Sequence, residues 1–131
     1  GESSSVFMQK EIMHYPKSLK VFNGRGGQEI VDNFLIGCDG IVPALDGADK
    51  FIKIYNYIKN KNLIKANNEY KKILPSIVFT MQSIDTMICY GKRVCAYRMG
   101  VRQVFDRKPF LEPSDYGIKK SKILAKELGR Y

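Results

Sequence analysis

The sequence predicts an α/β protein whose second half is entirely helical. Two short apolar runs, at residues 19–22 and 40–45, alternate with amphipathic segments over the first 60 residues. This alternation is typical of parallel strands joined by crossover helices, because parallel neighbours need a long connection. From residue 66 onward the apolar residues recur at helical spacing only. With 131 residues, 44% of them hydrophobic, the chain is long enough to bury a core.

The first 60 residues supply five predicted elements. In chain order these are a helix over 5–15, a strand over 19–22, a helix over 28–36, a strand over 40–45 and a helix over 48–60. The turn GRGG (residues 24–27) joins the first strand to the second helix, and Gly37 is a candidate C-cap for that helix. The apolar residues that mark one face of the last helix are Phe51, Ile52, Tyr55 and Ile58.

The helical half begins with a long apolar pattern. Residues 66–99 predict one or two long helices, with a kink or break at Pro75, because proline lacks the N–H that a helix interior requires. Residues 102–113 predict a loop. Ser114 is the predicted N-cap of a final amphipathic helix, which Gly129 ends.

The net charge of +9, from 22 Lys and Arg against 13 Asp and Glu, raises the question of a nucleic-acid partner. Most of the lysines recur where an amphipathic helix meets water; they are Lys50, Lys53, Lys59, Lys61, Lys65, Lys71, Lys72, Lys119, Lys120, Lys122 and Lys126. No aromatic-rich RNA-binding signature or DNA-reading motif accompanies them. We therefore interpret them as solvated helix faces and expect no nucleic-acid partner.

The sequence carries no pattern for a membrane span, a metal site or a disulfide framework. No apolar run approaches the roughly 18 to 20 residues that a span needs, and the opening residues do not resemble a signal peptide. Cys38, Cys89 and Cys95 are an odd number without CxxC or Cys/His spacing. We expect a reducing cytoplasmic location, no metal, no cofactor and no membrane partner.

The GRGG turn is the first candidate site. It matches neither the P-loop pattern nor GxGxxG. Glycines after a strand let backbone N–H groups approach a ligand, the following helix N-terminus favours an anion, and Arg25 adds a positive charge. The turn falls at the carboxyl end of a strand, where α/β folds place ligands. A plain strand-to-helix turn explains the same residues, and both interpretations stay open.

Other candidates have ordinary structural interpretations. His14 has no Ser, Cys or acidic partner at meaningful spacing, and we interpret it as a surface or packing residue. Gly91 lies within a helical pattern, which predicts close helix packing there. Lys92 would need a desolvated pocket to act as a nucleophile. Next to Arg93 on a helix, it is expected at a surface or subunit contact.

Four strings, in their order along the chain, resemble the C-terminal portion of the dihydrodipicolinate synthase and N-acetylneuraminate lyase family. GESSS (1–5) resembles the segment after the sixth strand, where the Schiff-base lysine is followed by an acidic residue and small hydroxyl residues. KVFNG (20–24) resembles the seventh strand and GCDGIVPA (37–44) the eighth. ANNEYKKILP (66–75) resembles the first of the extra C-terminal helices. Each string is short, and the resemblance depends on their order and spacing.

The resemblance implies a partial (β/α)8 barrel, a TIM barrel, over 1–63, with its last two strands, and a helical C-terminal extension over 64–131. A full barrel takes about 250 residues, which would explain why two strands without exposed-face alternation lack neighbours here. The implied parent enzyme is a lyase or synthase that forms an imine between a lysine and pyruvate or another 2-keto acid, followed by aldol cleavage, condensation or dehydration. That lysine is expected just before Gly1, so the chain alone should be inactive. The implied partners are further copies, commonly a tetramer, or the missing N-terminal barrel half.

The resemblance also implies a rim of substrate-binding residues. Asn23 and Gly24 match the Asn-Gly or Ser-Gly pair of the seventh strand, and Val42 matches an eighth-strand position whose backbone faces the keto acid. Arg25 and Gly26 follow on the same rim. We expect Gly26→Asp to change substrate preference more than folding.

Two departures from the sialic-acid lyases narrow the implied substrate. Gly26 and Gly27 occupy the positions of two acidic residues that hold the sugar tail, and Ala44 occupies the position of a serine. The departures argue against a long polyhydroxylated substrate. Arg25 at the rim favours an acidic or otherwise short one, and an ordinary exposed arginine explains the same residue equally well.

Two other interpretations remain from the sequence. The chain could be a non-enzymatic basic helical module that binds nucleic acid, in which case binding should weaken steeply with salt. It could also be a genuine half-barrel that assembles with a separately encoded half.

Overall fold

The computed structural model describes residues 3–131. The helices and strands are α1 (Ser5–Ile12), β1 (Phe22–Gly26), α2 (Ile30–Leu35), β2 (Gly40–Pro43), α3 (Ala48–Lys59), α4 (Leu63–Thr80), α5 (Ile84–Thr86), α6 (Lys92–Arg98) and α7 (Asp115–Leu128). A 3₁₀ turn covers Leu45–Gly47, and a π-helical segment covers Met87–Gly91. The predicted alternation and the helical second half are confirmed. Gly1 and Glu2 of the GESSS motif lie outside the described residues.

The two strands pair in parallel, as the alternation predicts, with Phe22 opposite Gly40 and Asn23 opposite Ile41. The prediction of the first strand over 19–22 is wrong, because the ladder starts only at its last residue. The N–H of Val21 donates to a carboxylate oxygen of Asp39 (2.9 Å) instead of to the neighbouring strand. The sheet therefore includes part of the GRGG string, and the turn begins after it.

One hydrophobic core spans both halves of the chain. Its buried members are Ile30, Val31, Ala44, Phe51, Ile54, Ala66, Ile73, Ile77, Val94, Leu124, Ala125 and Leu128. They come from α2, α3, α4, α6, α7 and the end of β2. The predicted division at residues 63/64 falls one residue inside α4, directly after its first residue, and stays a prediction.

Helix α4 continues through Pro75, so of the kink or break expected there the break is wrong, and the kink stays a prediction. The carbonyl freed by the missing N–H belongs to Lys71, which is exposed like Pro75, so water can satisfy it. The chain turns instead after Thr80, where Ser83 accepts the N–H of Thr86 and forms a capping box.

Among residues 3–131, no single helix is long and apolar enough to cross a membrane. Helix α4 and the segment Ile84–Arg98 reach that length and composition only as a pair, and their axes differ by 111°.

Helix α7 lies against the π-helical segment through Gly117 and Tyr90. A Cβ at Gly117 would lie 2.2 Å from the Tyr90 ring, so the approach requires glycine. The Tyr90 hydroxyl accepts the N–H of Ser114 (3.1 Å), and Ser114 caps α7 as predicted. The close packing expected at Gly91 therefore occurs at Gly117, because a Cβ at Gly91 would make only ordinary contacts.

Arg98 joins the two halves of the chain. Its guanidinium makes a two-pronged contact with Asp49 of α3 (2.8 and 2.9 Å). It also donates to the carbonyls of Asp46 (2.6 Å) and Gly129 (2.7 Å). The Tyr131 ring lies 4.1 Å from the guanidinium carbon. A buried cation with this many partners fixes the turn after β2 relative to α6 and the end of α7.

Candidate functional site

A cavity of about 490 Å³ lies at the carboxyl ends of β1 and β2. Its walls come from the two strands, the 3₁₀ turn, the α4–α5 junction and the π-helical segment. Three of the predicted substrate-binding residues, Gly24, Gly26 and Val42, line it, whereas Asn23 and Arg25 do not. The carboxyl ends of parallel strands are where α/β folds place their ligands.

Asn23 is fully buried, and its side chain is used within the chain. The amide nitrogen donates to the carbonyl of Ser3 (2.9 Å), and the amide oxygen accepts the N–H of Arg25 (3.0 Å). The side chain thus ties the segment before α1 to β1. Its role in substrate binding stays a prediction.

Arg25 is turned toward the start of α2. Its guanidinium contacts Glu29 (2.6 Å) and the side-chain oxygen of Gln28 (2.9 Å). The Glu29 carboxylate also accepts the N–H (3.1 Å) and the hydroxyl (2.9 Å) of Ser5. The positive charge that the sequence places at the rim is therefore compensated by Glu29, and this carboxylate links α1, β1 and α2.

Gly26 and Gly27 are required by the backbone, with φ of +63° and +91°. A Cβ at Gly26 would lie 2.6 Å from the methyl group of Met81, and one at Gly27 would lie 2.5 Å from the Phe51 ring. A side chain at Gly26 would therefore strain the backbone and displace Met81. Met81 meets this position with the end of a flexible side chain, and Asp adopts the left-handed region more readily than most residues, so the expectation that Gly26→Asp affects substrate preference more than folding stays a prediction.

Asp46 is a lining residue that the sequence did not single out, since its Asp-Gly pair indicated only a turn. The residue is buried, and the Ser76 hydroxyl donates to its carboxylate (2.8 Å). Burial raises the pKa of Asp46, and the hydrogen bond from Ser76 opposes that shift. The cavity therefore has a buried acid in its wall.

Lys92, at the first turn of α6, also lines the cavity. Its ammonium contacts Asp106 (2.6 Å) and donates to the carbonyl of Phe105 (2.7 Å). Arg93 is buried and binds the same carboxylate with both terminal nitrogens. The Arg93 hydrogen bond, supported by Lys92, lowers the pKa of Asp106 to about 2.

None of the lysines interpreted as solvated faces is buried, and most of them are exposed. Among the described residues no group of three or more His, Cys, Asp or Glu side chains is arranged to hold a metal ion. The three cysteines are free and buried.

No family model and no curated protein matches the chain. Among solved structures, the chain is similar to the crystal structure of dihydrodipicolinate synthase from Rhodopseudomonas palustris, with a TM-score of 0.72 and 19% identity. The likeness shows the fold. It covers 94% of this chain and 40% of that one, so the chain spans less than half the length of the synthase.

The likeness supports the resemblance found in the sequence, and the cavity is the natural place to look for chemistry. Its described lining offers glycine backbone at the strand ends, one ammonium group and one buried carboxyl group, among mostly apolar side chains. A small organic acid fits this combination, because an apolar wall with few polar groups is typical of small-molecule sites.

Proposed function

We propose that this chain forms the C-terminal part of a lyase or synthase that acts on pyruvate or another 2-keto acid through a lysine Schiff base. The observation that carries the proposal is the cavity at the strand ends, lined by Gly24, Gly26 and Val42, in a fold similar to part of a dihydrodipicolinate synthase. The fold alone allows many chemistries, so the proposal depends on this site and on the resemblance of its strand strings.

Exposed apolar side chains support a larger assembly around the strands. Val42 of β2, Leu45 of the 3₁₀ turn and Ile52 of α3 are each at least 60% exposed. Further strands and helices of a barrel would cover such side chains, and burying each would contribute about 1.5–3 kcal/mol. The partner we propose is the N-terminal part of the barrel, in the same protein or as a separate chain, and the barrels would associate as a homo-oligomer.

The chemistry would start with attack of the lysine amine on the ketone of the substrate and loss of water. The protonated imine then accepts electrons from the adjacent carbon, which permits a carbon–carbon bond or a hydroxyl group beta to the imine to be broken or made. In this chain the strand ends would shape the pocket, and the lysine would lie before Gly1.

Imine trapping tests the proposal directly. The full-length protein is incubated with pyruvate and sodium borohydride, and the adduct is located by peptide mass spectrometry. We expect one reduced pyruvyl adduct on a lysine just before Gly1, and none when borohydride is omitted. A protein that yields no adduct with pyruvate or with longer 2-keto acids would refute the proposal.

A further inference from the structure

The cavity contains one positively charged side chain among its described lining residues, and it is Lys92. Arg25, to which the sequence assigns this role, contacts Glu29 and does not line the cavity. The other ionisable lining residue is Asp46, which is buried and bonded to Ser76. Any attraction of the cavity for an anion therefore depends mainly on Lys92.

The ammonium group of Lys92 has capacity for a ligand. An ammonium has three donors, and in the structure two of them are directed at oxygens of Asp106 and Phe105. The side chain is 37% exposed, and the residue lines the cavity, so a change of side-chain conformation can bring the third donor to a ligand there.

Asp106 does not depend on Lys92 for compensation of its charge. The buried Arg93 guanidinium binds both of its carboxylate oxygens and also donates to the carbonyl of Cys89 (2.7 Å). If Lys92 moved toward a ligand, Asp106 would keep a two-pronged charged partner. Lys92 can therefore exchange partners at low cost, whereas Arg93 cannot.

The π-helical segment sets the position of Lys92. It covers Met87–Gly91 and ends directly before the lysine, and Met87, Ile88 and Gly91 line the same cavity. A π-helical turn contains an extra residue, which changes the direction in which the following side chains point, and such turns are frequent at functional sites.

We infer that Lys92 determines substrate specificity by binding a carboxylate at the far end of the substrate. The substrate class is then a short acid that carries a second carboxylate beyond its keto-acid group. The inference rests on the proposed function for the identity of the site, but it concerns the charge of the tail and not the imine.

Calorimetric titration of the full-length protein tests this inference with two unreactive probes. Succinate has a carboxylate at each end, and butyrate has the same chain length with only one. We expect succinate to bind more tightly than butyrate by about tenfold to a hundredfold, the usual range for one charge-assisted hydrogen bond. Lys92→Met should reduce succinate affinity to the level of butyrate, whereas Lys92→Arg should largely retain it.

Two further variants keep the result interpretable. Lys119→Met removes an exposed ammonium from α7, away from the cavity, and should leave both affinities unchanged. Lys92→Gln retains a donor for the Phe105 carbonyl and replaces Lys92→Met if that variant does not fold. Equal binding of the two probes by the unmodified protein, or equal losses in the Lys92 and Lys119 variants, would overturn the inference. Neither probe forms an imine, so failure of pyruvate trapping and failure of this test are separate outcomes.

Discussion

Arg98→Met should destabilise the protein by about 3 kcal/mol, because it removes one partner of a buried ion pair. Loss of one such partner costs about 3–5 kcal/mol. Asp49 retains 29% exposure of its side chain, so water can solvate part of the charge that is left, and the lower end of the range applies. The carbonyls of Asp46 and Gly129 also lose a charged donor.

Urea and thermal denaturation, each followed by circular dichroism with a reductant for the free cysteines, measure the loss of free energy and the fall in Tm. For a protein of this size the expected fall in Tm is about 10 °C. Arg98→Lys keeps the charge but loses the two-pronged geometry. Its free energy of unfolding should lie between those of the unmodified protein and the Arg98→Met variant. Arg102→Met is the matched control, because Arg102 is exposed and has no ion pair with the described residues; its effect should stay within about 0.5 kcal/mol. Equal stabilities of the Arg98→Met and Arg102→Met variants would refute the role of Arg98 in joining the two halves.

Two further predictions concern the backbone and the response to acid. Gly27→Ala should lower the free energy of unfolding by at least about 2 kcal/mol, since it adds a clash with Phe51 to the cost of a positive φ. Gly100 is also at positive φ but lies in open space, so Gly100→Ala should cost only about 1 kcal/mol. Equal losses in the two variants would contradict the packing argument. Asp106 has a folded-state pKa of about 2, below its ordinary value of 3.8, so its contribution to stability is present above about pH 4 and is lost as the pH falls through 2. Asp106→Asn should therefore flatten the stability profile between pH 4 and pH 2, and an unchanged slope would show that the pairing with Arg93 does not contribute.

Local patterns predicted the order of the elements, and misplaced a strand where a side chain competes with the backbone. The apolar run at 19–22 suggested a strand, but the Asp39 carboxylate binds the N–H of Val21 and delays the ladder. A pattern of apolar residues cannot show that a distant carboxylate accepts a backbone N–H at the start of a strand. The proline in α4 was misinterpreted for a related reason, because its cost depends on whether the freed carbonyl meets water.

The face of α3 shows a similar limit. Phe51 is buried as predicted, but Ile54 is buried too, while Ile52 and Tyr55 are exposed. The sequence cannot tell which of two adjacent apolar stripes meets the core when both are present, and in a larger barrel both would be covered.

The candidate site was predictable where it depends on strand ends. Gly24 and Gly26 belong to the turn that the sequence placed at the carboxyl end of a strand, where α/β folds place ligands, whereas Val42 came from the family resemblance. Asp46 lines the cavity because of the 3₁₀ turn after β2, and Lys92 lines it because the chain bends after α4. Both are tertiary features, which the sequence pattern does not predict. Hence the charge that the sequence assigned to Arg25 belongs to a residue 67 positions later (92 − 25).

The contacts of Asn23 and Glu29 have a consequence for the loop between α1 and β1. Ser3 and Ser5 are held by these two side chains, and the residues between Ile12 and Val21 are exposed. These contacts hold the start of α1, and the Asp39 carboxylate holds the N–H of Val21 where the loop ends, so the elements on either side of the loop are positioned by contacts outside it. Since the entropy of closing a loop grows only slowly with residue number, about 0.6 kcal/mol per doubling, the loop should tolerate inserted residues. This makes it a suitable place for a reporter peptide that leaves both strands undisturbed.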